Sequence, residues 1–459
     1  MDEFSAIPAH LTTVFRSQLD CKRNPWLERR GTASDEVLKM RVKDLPLLFL
    51  LVCFMAGFAR ADAIVDWNAV IHQTNALNVP GRPPTAGTRI FAMTHIAIHD
   101  ALNAIDPRYE YYAYAGPGDP NASAAAAVAA AAYNVLRLEN PNLPGAPNTV
   151  LFIAYTNALA AIPDGPEKTA GIAIGEAAAA AIRALRADDG SADPCPPWIN
   201  GTQPGEWRPT GSGNFVTPCW GDVAPFTMNA GDRWRVPTRP ALSLTNALYT
   251  RDFLEVKEYG GTASTSRTTD QSEAARFWYP NPPLTWHRIA DLVGMQRGVD
   301  LWENARLYAL MSTAEADALI AVWDSKRAFP FWRPVTAINE AEHDGNPATE
   351  DDDSWTSYMV TPPYPDYNSG HAGVDGSSAE VLARFFGTDS AGFSLSTTLG
   401  AGPPVMRTFT SFSGAAKDGA DSRIWGGIHF RTACEDSLKQ GHRIGRQAFN
   451  HYLRPLDEL

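Results

Sequence analysis

The chain has 459 residues, 44% of them apolar, and a formal net charge of −12. That is enough apolar material for one large or two medium-sized cores, and it excludes a disordered or fibrous chain. An acidic surface of this size is a poor partner for nucleic acid or for an anionic membrane.

Residues 1–39 are polar and mixed in charge, and we read them as an untranslated or disordered extension. Met40, Arg41 and Lys43 precede an apolar run over residues 45–59 (LPLLFLLVCFMAGFA). This run is short of the roughly 20 residues a membrane span needs. It ends in Ala59-Arg60-Ala61, the small-residue pattern of a signal cleavage site. The expectation is a signal peptide over 40–61 cleaved near Ala61 and a secreted or periplasmic protein starting at Asp62, with no stable membrane anchor. Losing residues 1–61 removes nine Lys/Arg and seven Asp/Glu, leaving 30 basic and 44 acidic residues, a net charge of −14. Of the remaining cysteines, Cys195 and Cys219 share one Pro/Gly/Trp-rich stretch and form a candidate disulfide in an oxidising compartment, while Cys434 stands apart.

Helical periodicity begins at residues 89–104, where Ile90, Met93, Ile96, Ala97 and Ala101 form a stripe. Residues 122–138 and 166–186 are Ala-rich helix formers. From 187 to 240, Gly, Pro, Trp and Asp replace the periodic pattern, a long wrapping or functional connection. Helical character resumes over 241–259, 269–278, 286–297 and 302–326. After the break TPPYP a further helix is expected from Ser369-Gly370 towards Phe386, and another from His429 to Tyr452. Few alternating strand patterns are present. The predicted fold is all-α: two packed helical bundles with long irregular connecting loops, an N-terminal region over 62–240 and a C-terminal region over 241–459.

Three C-terminal segments suit a tetrahedral oxyanion: residues 326–334 (KRAFPFWRP), Ser369-Gly370-His371, and Ser422-Arg423 followed by His429. Lys326, Arg333 and Arg423 supply charge and multiple donors. No acceptor-rich side chain dilutes the set within these segments. Pro330 and Pro334 imply that Lys326 projects from a helix end and Arg333 from an extended segment. Ser369 and Gly370 open a helix whose unpaired N–H groups and dipole favour an anion. Arg423 and His429 are six apart, about 120° from one face on a straight helix, but Gly426-Gly427 relax that geometry. Each segment alone has an ordinary explanation: surface cations, N-capping by Ser369, or a Gly-bent helix with a solvated Arg. A competing pair, His95 and His99 with Asp100, has metal-like spacing but lacks a third ligand, so a structural role is expected. The acidic run 350–353 reads as a solvated loop.

Lys, six residues, Arg-Pro, then Ser-Gly-His, then Ser-Arg, five residues, His resembles the signature shared by the vanadium-dependent haloperoxidases and the type 2 phosphatidic acid phosphatases. MTHIAIHDALNAI, the lead WDSK, FWRPVTAI and the run ending in YNSGH extend the resemblance to secreted bacterial members of the haloperoxidase-like branch. The resemblance implies vanadate as cofactor, with phosphate able to occupy the same site. It implies that His429 binds vanadium, that Lys326, Arg333, Ser369, Gly370 and Arg423 hydrogen-bond its oxygens, and that His371 is the acid–base. Hydrogen peroxide, a halide and a small organic acceptor would be the partners. In the phosphatases the same histidines would be nucleophile (His429) and leaving-group acid (His371). Trp323 and Tyr364 would flank the halide; where chloride-oxidising members tend to carry Phe and bromide-oxidising ones His, Tyr364 follows neither. Asn368 replaces the usual Pro. Ala433 stands four after His429, where phosphatases carry an Asp that orients the histidine, so a phosphohistidine route lacks its carboxylate unless Glu435 or Asp436 substitutes. The expected function is vanadate-dependent halide oxidation to a hypohalous species, against a phosphohistidine acid phosphatase and a non-catalytic oxyanion binder. His371, titrating near neutrality, argues against the binder. The export reading is checked by N-terminal sequencing of the secreted protein, expected to begin near Asp62.

Overall fold

The computed structural model describes residues 62–76, 82–139, 146–211, 213–229, 235, 242–397 and 403–458. The signal segment, the cleavage site and the Met40 start lie outside the described residues. No helix among these residues is long and apolar enough to cross a membrane.

The fold is all-α with one small hairpin. The described α-helices are α1 (Ala63–Ala76), α2 (Pro84–Ile105), α3 (Ala124–Leu138), α4 (Ala146–Ala160), α5 (Pro166–Leu185), α6 (Ala247–Gly260), α7 (Thr269–Phe277), α8 (Pro282–Arg297), α9 (Leu301–Ala328), α10 (Pro334–Asn339), α11 (Gly370–Phe385), α12 (Phe412–Trp425) and α13 (Arg431–His451). Strands β1 (Ser390–Thr397) and β2 (Val405–Ser411) pair antiparallel between α11 and α12. Sequence reading missed this hairpin because Ser, Gly and Thr mask the alternation of Ala391, Phe393 and Leu395, which are buried on one face. The expected helix from His429 starts instead at Arg431, after a turn in which Gly427 takes φ +75°. His429 therefore sits on a loop.

Helix α9 is the axis of the molecule. Asp300 and Glu303 close a capping box at its start, and every residue from Asn304 to Lys326 is buried. A helix buried all round has lost its solvent face and must be enclosed by others. The main core cluster accordingly joins residues of α2, α3 and α5 to α9 and α11, so both halves of the chain share it. The long connection 187–240 is tied by a Cys195–Cys219 disulfide. It is also tied by buried Asp317 of α9, which accepts from Phe226 N and Thr227 N at 2.7 Å each.

Helices α11 and α13 carry or adjoin two of the three motif segments, and their backbones meet without side chains between them. A Cβ on Gly441 would strike the carbonyl oxygen of Gly373, and one on Gly376 would strike that of Leu438. Small residues here fix how close Ser369-Gly370-His371 comes to the loop before α13. Gly441→Ala is expected to lower stability by about 1–3 kcal/mol, the usual cost of overpacking, read as a drop in thermal midpoint; an unchanged midpoint would refute the close crossing.

Candidate functional site

The three motif segments converge. Lys326 is in the last turn of α9, Arg333 is the extended N-cap of α10, Ser369 caps α11 and Arg423 ends α12. Lys326, Arg333, Ser369, Gly370, Arg423 and His429 are all buried. His371 is only partly buried, and it reaches a cleft of about 240 Å³ whose wall includes Trp323, Tyr364 and Gly370.

Each cation is positioned by backbone carbonyls. Lys326 Nζ donates to the carbonyls of Pro365 (2.6 Å), Asp366 (3.2 Å) and Asn368 (2.5 Å), so it both lends charge and fastens the loop leading to Ser369. Arg333 Nε donates to Tyr364 O at 2.7 Å and Nη1 to Ile428 O at 2.5 Å, while buried Nη2 has no partner. Arg423 donates from Nε to Ser422 Oγ at 3.0 Å and from Nη2 to Trp278 O at 2.8 Å. The Tyr364 ring centre lies 5.0 Å from both Lys326 Nζ and Arg333 Cζ, a cation–π wall over the pair. Trp323 packs against Tyr364 with centroids 5.0 Å apart.

A carboxylate that sequence reading had placed elsewhere sits inside the set. Asp366 Oδ1 accepts from His429 Nδ1 at 2.8 Å. This corrects two expectations: the cations do have an acidic neighbour, and Ala433 does not leave His429 without an orienting carboxylate. Glu435 instead lies 3.8 Å from Arg431, and Asp436 accepts from the Tyr367 hydroxyl at 3.0 Å. With Nδ1 donating to Asp366, the lone pair of His429 is on Nε2, 3.1 Å from Arg333 Nη1. The missed signal was available, because Asp366 is the one acidic residue in TPPYPDYNSGH.

Electrostatics set protonation. Burial, then the Arg333 and Lys326 charges, hold the His429 imidazole well below its usual range, so it stays neutral. Burial and the Arg423 guanidinium push His371 well below its usual range as well. The expectation that His371 titrates near neutrality is therefore corrected for the protein without a bound anion. Its Nε2 faces the Pro280 carbonyl at 3.3 Å, which accepts only, so Nδ1 carries the lone pair. Burial raises Asp366 to about 7 despite Arg333 and Lys326. Asp375, one turn beyond His371, is raised by burial to about 8, accepts from Trp286 Nε1 at 2.8 Å and has an unpartnered Oδ2. A neutral Asp375 leaves the Arg423 charge uncompensated.

A tetrahedral oxyanion fits this donor set. The orphaned Arg333 Nη2, the cations around it, the α11 N-terminus and the His429 Nε2 lone pair, whose one neighbour is Arg333 Nη1, suit an anion whose central atom accepts a nitrogen. Elsewhere, His99 Nδ1 meets Asp100 at 3.0 Å, and Asp100 accepts from the backbone of residues 112–114, a structural arrangement. Among the described residues no group of His, Cys, Asp and Glu could hold a metal ion through protein ligands alone.

Residues 306–458 match the family model of the VCPO second helical-bundle domain. The vanadium chloroperoxidase of Curvularia inaequalis is 32% identical over 113 residues, a match spanning 22% of this chain and 18% of that protein. The structure of a bacterial vanadium-dependent iodoperoxidase superposes with a TM-score of 0.72 at 26% identity, over 85% of this chain and 97% of that one. A bacterial vanadium-dependent chloroperoxidase in its holo form superposes with a TM-score of 0.66 at 18% identity, over 80% of this chain and 92% of that one, and shares the fold. The chain is thus similar to the vanadium haloperoxidases, in sequence over its C-terminal third and in fold over most of its length. Trp323 and Tyr364 line the cleft beside His371, where the resemblance had put the halide side.

Two measurements check the site. Arg333→Ala and Arg423→Ala should each weaken vanadate binding by about 1.5–3 kcal/mol, the worth of a charge-assisted bond, and Asp366→Asn by about 10–100-fold through loss of the orienting partner; equal vanadate uptake by all would place the site elsewhere. For Asp375 the sign follows from a folded pKa above the unfolded one: its contribution is present below pH 3.8 and is lost as pH rises through about 8. The thermal midpoint of Asp375→Asn relative to wild type should therefore climb between pH 4 and 8, and a flat difference would refute a neutral buried Asp375.

Proposed function

We propose that this protein is a vanadate-dependent haloperoxidase that oxidises a halide with hydrogen peroxide, taking up one proton and releasing hypohalous acid and water. The observation that carries it is the His429 ring, whose Nδ1 is tied to Asp366 and whose Nε2 lies 3.1 Å from Arg333 Nη1, on the guanidinium whose buried Nη2 has no partner. The chain-long likeness to an iodoperoxidase supports the same chemistry. Vanadate would be held by Lys326, Arg333, Ser369, Gly370 and Arg423, with His429 Nε2 as the ligating nitrogen. When bound it supplies Lewis-acid activation of peroxide without changing oxidation state.

The protein's own part is charge and proton handling. Lys326, Arg333 and Arg423 neutralise the anion in a site from which bulk water is excluded. Neutral His371, at the cleft floor, can take the peroxide proton at Nδ1 and return it to a departing oxygen. An anion beside it raises its proton affinity, so the low affinity of the anion-free site does not prevent that role. A halide would enter past Trp323 and Tyr364. Secretion or periplasmic residence fits the Cys195–Cys219 disulfide, which persists in an oxidising compartment.

A second reading, phosphate-ester hydrolysis through a phosphohistidine, is favoured by one observation: Asp366 supplies the orienting carboxylate that Ala433 lacks. The two are separated by comparing iodide or bromide oxidation with vanadate and peroxide against release of phosphate from an aryl phosphate without vanadate. Halide oxidation is expected to dominate, and His371→Ala should keep vanadate while losing oxidation. Rapid phosphate release with no halide oxidised would promote the second reading.

A further inference from the structure

The β1–β2 hairpin is inserted between α11 and α12, the helices that carry His371 and Arg423. Its strand β2 contributes Arg407, which is partly buried and donates from Nη1 to Asp270 Oδ1 of α7 at 2.9 Å and from Nη2 to Asp418 Oδ1 of α12 at 2.8 Å. The other oxygen of Asp418 accepts from the Trp278 indole Nε1 at 2.8 Å. Trp278 is the C-cap of α7, and its carbonyl oxygen accepts from Arg423 Nη2 at 2.8 Å. Helix α12 therefore grips this residue at both ends, by Asp418 at the ring and by Arg423 at the backbone. Just beyond it, the Pro280 carbonyl faces His371 Nε2 at 3.3 Å. Neither Asp418 nor Arg407 belongs to the three motif segments.

We propose that Asp418 is a positioning residue for the anion site: by holding the Trp278 indole it fixes the carbonyl that aims the Arg423 guanidinium, and Arg407 of the hairpin holds Asp418 in turn. The inference rests on the reading of Arg423 as an oxyanion donor. An arginine reaches an anion on a side chain with several rotatable bonds, and each bond to a fixed acceptor removes freedom that binding must otherwise remove. Ser422 Oγ, the acceptor of Arg423 Nε, is its own chain neighbour and moves with α12, whereas the Trp278 carbonyl ties Arg423 to another element. The indole is 1% exposed and packs with Phe277 and with Phe409 of β2 at ring-centre distances of 5.1 and 5.9 Å. Apolar packing alone leaves the direction of its N–H open, and a buried N–H without an acceptor is costly, so Asp418 selects one orientation. A bridge that only fastened the hairpin to the bundle would stabilise the fold and leave anion affinity untouched.

The test measures vanadium retained by the full chain on equilibrium dialysis against orthovanadate, without peroxide or halide. Asp418→Ala and Trp278→Phe each remove the hydrogen bond of the ring and are expected to weaken binding by about tenfold, as for an outer partner that orients a site residue. Asp418→Asn keeps an oxygen for the indole and should bind like wild type. The deciding comparison is a double-mutant cycle with Arg423→Ala: in that background Asp418→Ala should cost nothing further, because an effect carried through Arg423 disappears with it. Thermal melts establish the fold of each variant, and Trp278→Phe takes the place of Asp418→Ala in the cycle should the latter not fold. Wild-type affinity in both single variants overturns the proposal, and so does an equal loss in both backgrounds, which marks a merely structural role. Absence of vanadate from the wild type overturns the reading of Arg423 itself, and the inference with it.

Discussion

Three cations buried in one place are the constraint around which this molecule is arranged. Moving a charge out of water costs several kcal/mol even after relaxation, and Lys326, Arg333 and Arg423 also repel one another. The protein offsets part of that cost: three carbonyls receive Lys326, two receive Arg333 and one receives Arg423, and Asp366 lies alongside. The remainder is left for a ligand. Its charge must be multiple and spread over several oxygens, because the donors come from separate helices and cannot all reach one atom.

Holding that arrangement requires rigid elements, and the fold supplies them at helix ends. Lys326 leaves the final turn of the fully enclosed α9, Ser369 begins α11, and Arg423 closes α12. The side-chain-free crossing of α11 with α13 brings the Ser369 segment against the loop of His429, where Ser369 N donates to Ala433 O at 3.1 Å. Position 433 contributes its backbone to the α11 cap, and its small buried side chain leaves the orienting role to Asp366.

What the sequence disclosed and what it hid follow from the range of the interactions. Lys326, Arg333, Ser369, Gly370, Arg423 and His429 could be picked out as a candidate set because each lies in a short motif with its own local geometry; the helix over 302–326 was expected, but not its full enclosure, because Glu303, Arg306, Glu315, Asp317 and Asp324 interrupt its apolar positions. Asp366 was not, since its partner is 63 residues away and no local pattern around His429 points to it. The neutrality of His371 was hidden as well, because it depends on burial and on Arg423, which only tertiary packing brings near.

Orientation of His429 by Asp366 does not by itself choose between peroxide and phosphate-ester chemistry, because a ligating nitrogen and an attacking nitrogen both need the same free lone pair at Nε2. The choice is made at the approach. A phosphate monoester dianion is strongly hydrated and must shed water along a cleft walled mainly by Pro84, Leu319, Trp323 and Tyr364, with Arg82 as its one cation, where desolvation of a double charge is costly. A large, weakly hydrated halide loses less on the same path, and hydrogen peroxide is neutral. Tyr364 adds to the asymmetry, since its ring already faces Lys326 and Arg333 and so covers the cations from the cleft side. The aromatic wall thus supports the halide-oxidation reading proposed for this site over the phosphate-ester one.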